Sequence, residues 1–324
     1  MTLTTSNGSR TLLLTFDAFS TVFHPRPAVP EQYASTAHSF GLSPSVVTPS
    51  KIKTAFKETY KAQSKRWPNY GRQEVLNGRY GGPRQWWGEV IKGSFTRVIR
   101  ADGHSLGGVH NNEEEVQLPD GLVESLLDRF ASKEGYALYP DVEPFFERLR
   151  ALRNTSGNDK HGLFSRTVVG VISNSDDRVP AVLKSLGLKV GNVRADQGRS
   201  SMELPGFEEG VEGSSSDSSQ YNDINMIITS YEAGEEKPHP LIFQVAKRQA
   251  SSFLGVSAEA TNTDDWTCVH VGDNYEQDYK GALNAGWKSF LLLRDNNEGP
   301  DDAAKISTLE ELLPKLEAYA VDRD

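Results

Sequence analysis

Cysteine is nearly absent from the chain. The single Cys268 leaves no partner for an intramolecular disulfide, so a reducing compartment fits. Its neighbours, CVHV, read as a buried strand with no cationic partner, which makes the thiol structural rather than nucleophilic. Long apolar runs are missing as well. No stretch approaches the roughly 18 apolar residues that a membrane-spanning helix needs. The first ten residues, MTLTTSNGSR, carry one arginine and no apolar core, which speaks against a secretory signal. A short organellar presequence is compatible with them. An excess of positive charge is lacking too: 35 Lys and Arg against 44 Asp and Glu give a net charge of −9. Neither nucleic acid nor an anionic membrane is expected as a partner. The expected location is cytoplasmic, with nucleus or mitochondrion fitting the same residues.

Enough apolar residues remain, 37% of 324, to build a core, although a mean hydropathy of −0.52 implies polar insertions. The first apolar run, Leu12–Leu13–Leu14 to Phe16, is unbroken and ends directly at Asp17. Such a run describes a strand buried on both faces of a parallel sheet. In open α/β sheets the ligand crevice lies at the carboxyl ends of the strands, so Asp17 is expected at its mouth.

Beyond Phe23 the residues His24, Pro25, Pro27 and Pro30 mark an exit from the sheet. The pattern then becomes helical as far as about Ser132. The spacing predicts helices over Pro30–Phe40, from Thr48 (as N-cap, with Pro49 behind it) past Tyr60, over Gln85–Ile99 and over Gly121–Ala131. Gly78–Gly82 and Asp102–Gln117 read as loops. At least one of the adjacent Trp86 and Trp87 packs inside this helical unit, and the other is left to line a cleft against the sheet. Strand and helix then alternate. Strands are expected at Thr167–Ile172, Asn225–Thr229, Thr267–Val271 and Ser289–Leu293. Helices are expected at Asp141–Arg150, Asp176–Leu186, Leu241–Ala250, Gln277–Ala285 and Leu309–Ala318. This is an α/β, doubly wound parallel sheet with an inserted all-helical cap. The expected divisions are 1–23 and 136–324 for the core and 24–135 for the cap. The Ser-, Gly- and Glu-rich stretch 191–223 is expected to be a disordered insertion in the core.

Polar residues stand at four successive strand ends: Asp17; Ser173 and Asn174; Lys237, just past Thr229; and Gly272–Asp273 with Asp278 following. Each alone is a common turn or helix entry. Together they converge on one crevice.

Here the chain resembles the haloacid dehalogenase-like hydrolase superfamily. The segments FDAFST, VISNSDDR, TSYEAGEEKPHPLIF and HVGDNYEQDYKGALNAGW look like its four signature motifs in order. With YPDVEPFFERLRAL after the cap, the likeness extends to the eukaryotic domain-containing protein 3 subgroup. The resemblance implies a Rossmannoid core and an aspartyl-phosphate mechanism. Asp17 would be the nucleophile and Lys237 its charge partner. Mg²⁺ would be held by Asp17, the backbone carbonyl of Phe19, and Asp273, with Asp278 holding a metal-bound water or orienting Lys237. Ser173 and Asn174 would hold the phosphoryl oxygens, with Ser20 and Thr21 shaping the turn and Thr21 counted with the substrate-binding residues. One residue departs from the phosphatase pattern: Phe19 stands where the family's general acid, an Asp, belongs. Losing such a group costs ~10²–10⁴-fold in rate. The dehalogenases of the family carry an aromatic residue there, but they use no metal and lack the Gly-Asp pair. The subgroup, too, often lacks the acid. Three readings follow: a weak or specialised Mg²⁺-dependent phosphohydrolase acting on a small-molecule phosphate, a non-catalytic binding or scaffold protein on the same fold, and a 2-haloacid dehalogenase. A protein partner is left open.

Overall fold

The computed structural model describes residues 11–102, 116–155, 164–195, 222–256, 266–294 and 299–321. The chain opens with β1 (Thr11–Phe16) and a three-residue strand, β2 (Phe23–Pro25). Five helices follow: α1 (Val29–Ser39), α2 (Pro49–Arg66), α3 (Pro68–Leu76), α4 (Pro83–Ala101) and α5 (Leu122–Arg129). Strand β3 (Tyr136–Leu138) and helix α6 (Val142–Thr155) lead back to β4 (Arg166–Ser173). Then come α7 (Val179–Ser185), β5 (Val190–Val193), β6 (Ile224–Thr229), α8 (Ser230–Ala233) and α9 (Pro240–Phe253). Strand β7 (Trp266–Gly272) runs into a π-helical turn, Tyr275–Lys280, continued by α10 (Gly281–Asn284). The chain closes with β8 (Lys288–Leu292), β9 (Lys305–Ile306), a 3₁₀ turn (Leu309–Glu311) and α11 (Leu312–Val321).

Seven strands form one sheet in the order β5-β6-β4-β1-β7-β8-β9, and every pairing in it is parallel. β1 lies in the middle, between β4 and β7, with all six residues buried. Its alternation sorts the core. Leu12, Leu14 and Phe16 join a cluster that includes Phe145 and Phe146 of α6 and Leu312 of α11. Leu13 faces the other way, with Ile242, Phe243 and Ala246 of α9. Helices thus cover both faces, which is why the strands read as continuous apolar runs.

The expected strands are present, joined in the seven-stranded sheet by two that the apolar pattern does not announce. β9 has two residues. β5 occupies 190–193 inside the stretch expected to be an insertion from 191, and Asp223, at that stretch's far end, is buried and accepts from Arg150. The expectation is corrected at those two ends, and residues 196–221 lie outside the described residues. Most of the expected loop Asp102–Gln117 also falls outside them, at 103–115.

The helical unit lies between β2 and β3, which pair antiparallel as a separate two-stranded ribbon, Phe23 opposite Leu138 and Pro25 opposite Tyr136. Thr48 caps α2 by accepting from the Lys51 backbone N–H, and Gly41 ends the turn after α1 at φ +87°. Helix α3 is unexpected. It opens with Asn69, Tyr70 and Gly71 all at positive φ, a left-handed turn that hydrophobic spacing does not reveal.

Candidate active site

Asp17 follows β1 directly, and its N–H still donates to the Val271 carbonyl of β7 at 2.8 Å, as if the strand continued. The side chain therefore leaves the sheet at its carboxyl edge. Ser173 ends β4. Lys237 comes after the short helix α8 that β6 feeds. Asp273 follows β7, and Asp278 sits in the π-helical turn. The four strands involved, β6, β4, β1 and β7, are consecutive neighbours in the sheet.

Lys237 is the centre of the site. It is 2% exposed, and its ammonium donates to Asp17 Oδ1 at 2.6 Å, to Asp278 Oδ1 at 2.6 Å and to the Ile172 carbonyl at 2.7 Å. Three donors meet three acceptors. Burial alone would lower its pKa, but Asp17 and Asp278 outweigh it and hold the group above its ordinary value. Asp278 is also buried, yet Lys237 and His270 keep it well below the usual carboxylate range. Its Oδ2 accepts from the Asn274 N–H at 3.0 Å. This geometry needs Gly272: a Cβ there would come within 2.2 Å of the Asp278 carboxyl carbon.

Asp17 is the group left out of balance. Burial raises its pKa to about 7, against the pull of Lys237 and with Asp278 and Asp273 adding to the rise. Asp273, at the exposed rim, is raised by desolvation and by Asp278. Carboxylate oxygens of Asp17, Asp273 and Asp278 lie within 4.8 Å of one another. Three carboxylates and one ammonium leave excess negative charge in an all-oxygen donor set, which suits a hard divalent cation such as Mg²⁺.

The turn after Asp17 is tightly held. Ser20 takes φ +58°, and the buried Thr21 hydroxyl donates to Asp273 Oδ1 at 3.4 Å, so Thr21 faces the acidic cluster. The Thr21 carbonyl accepts from Arg294 at 2.6 Å, and Arg294 is itself braced by both oxygens of Asp141 at 2.8 Å. Phe19 forms part of the chamber wall, its ring 4.7 Å from Phe23 and 5.7 Å from Tyr136. Ser173, 1% exposed, lines the same chamber. Asn174 lines the chamber and also grips Lys237. Its Nδ2 donates to the Lys237 carbonyl at 2.8 Å and its Oδ1 accepts from the Lys237 N–H at 2.6 Å. These two bonds fix the lysine's main chain, and Nδ2 keeps a second N–H for the chamber.

His270 is a residue that sequence reasoning misses. It is fully buried in β7, with Nε2 3.1 Å from Asp278 Oδ1 and Nδ1 2.9 Å from the Thr15 hydroxyl. Burial lowers its pKa and keeps it neutral. With an ionised Asp278 as acceptor, the proton belongs on Nε2, and Nδ1 accepts from Thr15. A histidine inside an apolar strand gives no sign of this; only the partner across the turn does. Asp176 and Arg178 are the other omission. The helix expected from Asp176 begins at Val179, because Asp176 turns inward to accept from Arg178 Nε at 2.8 Å and from Trp87 Nε1 at 2.7 Å. The polar pair after Asn174 is the only hint in the sequence. Trp86 is in the cap interior, donating to the Trp67 carbonyl at 3.0 Å, and Trp87 lines the chamber with Arg178 4.5 Å above its ring.

A family model described as HAD-hydrolase-like matches residues 235–318. The human haloacid dehalogenase-like hydrolase domain-containing protein 3 is 28% identical over 313 residues, covering 94% of this chain and 93% of that protein. Over nearly its whole length the chain is similar to proteins of the haloacid dehalogenase-like hydrolase superfamily. Other relatives include an uncharacterized protein of Saccharomyces cerevisiae, 26% identical over 90% of this chain and 74% of its own length. The rhythmically expressed gene 2 protein of Drosophila melanogaster is 24% identical over 88% of this chain and 84% of its own. Among solved structures, a 2-haloacid dehalogenase from Pseudomonas syringae is similar at 18% identity and TM-score 0.49, covering 95% of this chain and 99% of that one. Among the described residues no helix is long and apolar enough to cross a membrane.

Proposed function

We propose that the chain is a Mg²⁺-dependent phosphohydrolase of narrow scope, acting on a small-molecule phosphate through an aspartyl-phosphate on Asp17. The observation that carries this reading is the clustering of Asp17, Asp273 and Asp278 around Lys237 at the carboxyl edge of the sheet. Asp17 Oδ1 is held by Lys237, and Oδ2 has no hydrogen-bond partner among the described residues. That oxygen is the one free to attack phosphorus. Asp17, Asp273 and the Phe19 carbonyl would hold Mg²⁺, with Asp278 near it. The ion would neutralise charge on the transferring phosphoryl group.

The residues themselves divide the work. Lys237 offsets the charge that phosphate brings to Asp17. Asn174 and Asp278 fix Lys237 from opposite sides, and the Ser173 hydroxyl is available to a phosphoryl oxygen. The phosphorus–oxygen bond to the leaving group breaks as the bond to Asp17 forms, and the leaving oxygen keeps the electron pair. Phe19 cannot supply a proton to it. Leaving groups stable as anions, such as aryloxides or the carboxylates of acyl phosphates, are therefore favoured over alkoxides. In the second step water adds to phosphorus and the bond to Asp17 breaks. No base stands at position 19, so the phosphoenzyme accumulates.

A dehalogenase reading has Phe19 in its favour, but Asp273 places a third carboxylate against the site, where it repels an anionic haloacid. The test is phosphate release from 4-nitrophenyl phosphate and a sugar phosphate, with Asp17→Asn as blank. Slow Mg²⁺-dependent release from the aryl ester alone is expected. Phe19→Asp is expected to raise turnover of an alkyl phosphate, with melting curves alongside to show that it folds. A wild type that releases no phosphate and forms no phosphoenzyme would move the assignment to a binding protein.

A further inference from the structure

The chamber above Asp17 has a composition that phosphoryl chemistry does not require. Its volume is about 390 Å³. The cap side is walled by the rings of Tyr33, Phe56, Tyr60, Tyr70, Trp87 and Phe130, with Ile91, Leu126 and Leu127 between them. Phe19 lines the same chamber as the carboxylates of Asp17 and Asp273, and it too presents a ring. A sugar here would set several hydroxyls against a wall made mostly of ring faces and aliphatic side chains, and each hydroxyl left without a partner would oppose binding. A planar ring would meet other rings edge-on or offset, the arrangements aromatic pairs favour.

Four tyrosine hydroxyls interrupt this wall: that of Tyr70 donates to the Asn174 carbonyl at 3.5 Å and that of Tyr60 is paired with Ser64, which leaves those of Tyr33 and Tyr136. Tyr33 is 2% exposed and Tyr136 8%, and their rings flank Phe130 with centroids 5.6 and 5.8 Å from it. No described residue hydrogen-bonds either hydroxyl. Neither hydroxyl is sealed from solvent-accessible space, and the space that both residues line is the chamber. Buried native hydroxyls are almost always paired, so two unpaired donors on one cavity wall point to a ligand acceptor. Burial pushes Tyr136 up to about 12 and Tyr33 higher, so both stay protonated and can donate. The cation nearest them, Arg178, is already paired: Asp176 takes its Nε at 2.8 Å and its Nη2 at 2.9 Å. A second anionic group on the ligand would find no unpaired positive charge at this end. A neutral acceptor would find two donors.

We propose that the chamber selects a planar aromatic leaving group bearing a neutral carbonyl, whose oxygen accepts from the hydroxyls of Tyr33 and Tyr136. The assignment rests on the phosphohydrolase reading only for what lies at the Asp17 end. Rings and hydroxyls act on the leaving group whether or not a phosphate is attached.

The experiment uses phosphate-free probes, so that binding is read without turnover. Calorimetry compares the para and meta isomers of hydroxyacetophenone with the matching ethylphenols, which have the same shape and no acceptor. In the wild type the better hydroxyacetophenone is expected to bind roughly 3- to 10-fold more tightly than its ethylphenol, the range for neutral hydrogen bonds. The double variant Tyr33→Phe/Tyr136→Phe, with an unchanged melting temperature, is expected to bind the two alike. Equal affinities in the wild type, or a preference that survives in the double variant, would overturn the proposal. Acetylphenyl phosphate then separates the two readings. Selective binding without phosphate release sinks the hydrolase assignment and leaves the chamber assignment standing. Release without selectivity does the reverse.

Discussion

Asp17 carries an electrostatic load that its neighbours do not remove. Its folded pKa, about 7, lies above the ordinary 3.8, chiefly because the group is buried. A carboxyl raised in this way binds its proton more tightly folded than unfolded, so between about pH 4 and 7 its contribution to stability falls as pH rises. Asp17→Asn removes that term. The metal-free wild type should therefore lose more melting temperature between pH 5 and pH 8 than the variant does, a difference worth roughly 2–4 kcal/mol. Parallel pH profiles for the two proteins would show that Asp17 is not strained. His270, depressed by burial, favours stability above pH 6.5 in both proteins. At this scale Asp17, Lys237, Asp273 and Asp278 were legible because their strand ends had to meet in one crevice. His270 was not, and neither was the grip of Asn174 on the Lys237 main chain. Both depend on which atom of a neighbour is reached, and a β-strand or a Ser-Asn turn looks the same either way.

The elements with strong periodicity or caps follow the sequence closely. Thr48 and Pro49 announce α2, and the triple leucine announces β1. What escapes are elements too short for a period. β2 and β3 have three residues each and pair across more than a hundred residues, so only the folded chain brings Phe23 to Leu138. The turn after β7 was expected to be an ordinary helix. It is instead a π-helical turn, capped by Asn274, whose Oδ1 accepts from Glu276 and Gln277 at 3.1 and 2.9 Å. Such turns are frequent at functional sites because the extra residue re-aims a side chain; here that residue set includes Asp278. Gly272→Ala tests the fit. With its methyl 2.2 Å from the Asp278 carboxyl carbon, the variant must push that carboxylate away from Lys237. It should destabilise the protein by a few kcal/mol, as overpacking does, and weaken any Mg²⁺ response. An alanine variant with wild-type melting behaviour would show that the turn yields easily.

For the whole molecule, the net charge of −9 surrounds a site that already holds three carboxylates. Mg²⁺ at that site should stabilise the folded state by mass action, roughly 2.7 kcal/mol at a hundred times its dissociation constant. Asp273→Asn should largely abolish the shift in melting temperature. A wild type indifferent to millimolar Mg²⁺, in melting and calorimetry alike, would count against the phosphohydrolase reading. The two-stranded ribbon β2–β3 sets a further condition on the molecule. Every cap helix among the described residues lies between those strands, so any opening of the cap must bend the chain there. Yet Phe23 and Tyr136 of the ribbon meet Phe19 edge-on, and Tyr136 and Pro25 line the chamber. The hinge is part of the binding wall. A guest that fills the chamber is wedged into the joint that must flex to let it out, so a larger ring should leave more slowly even when it binds no more tightly.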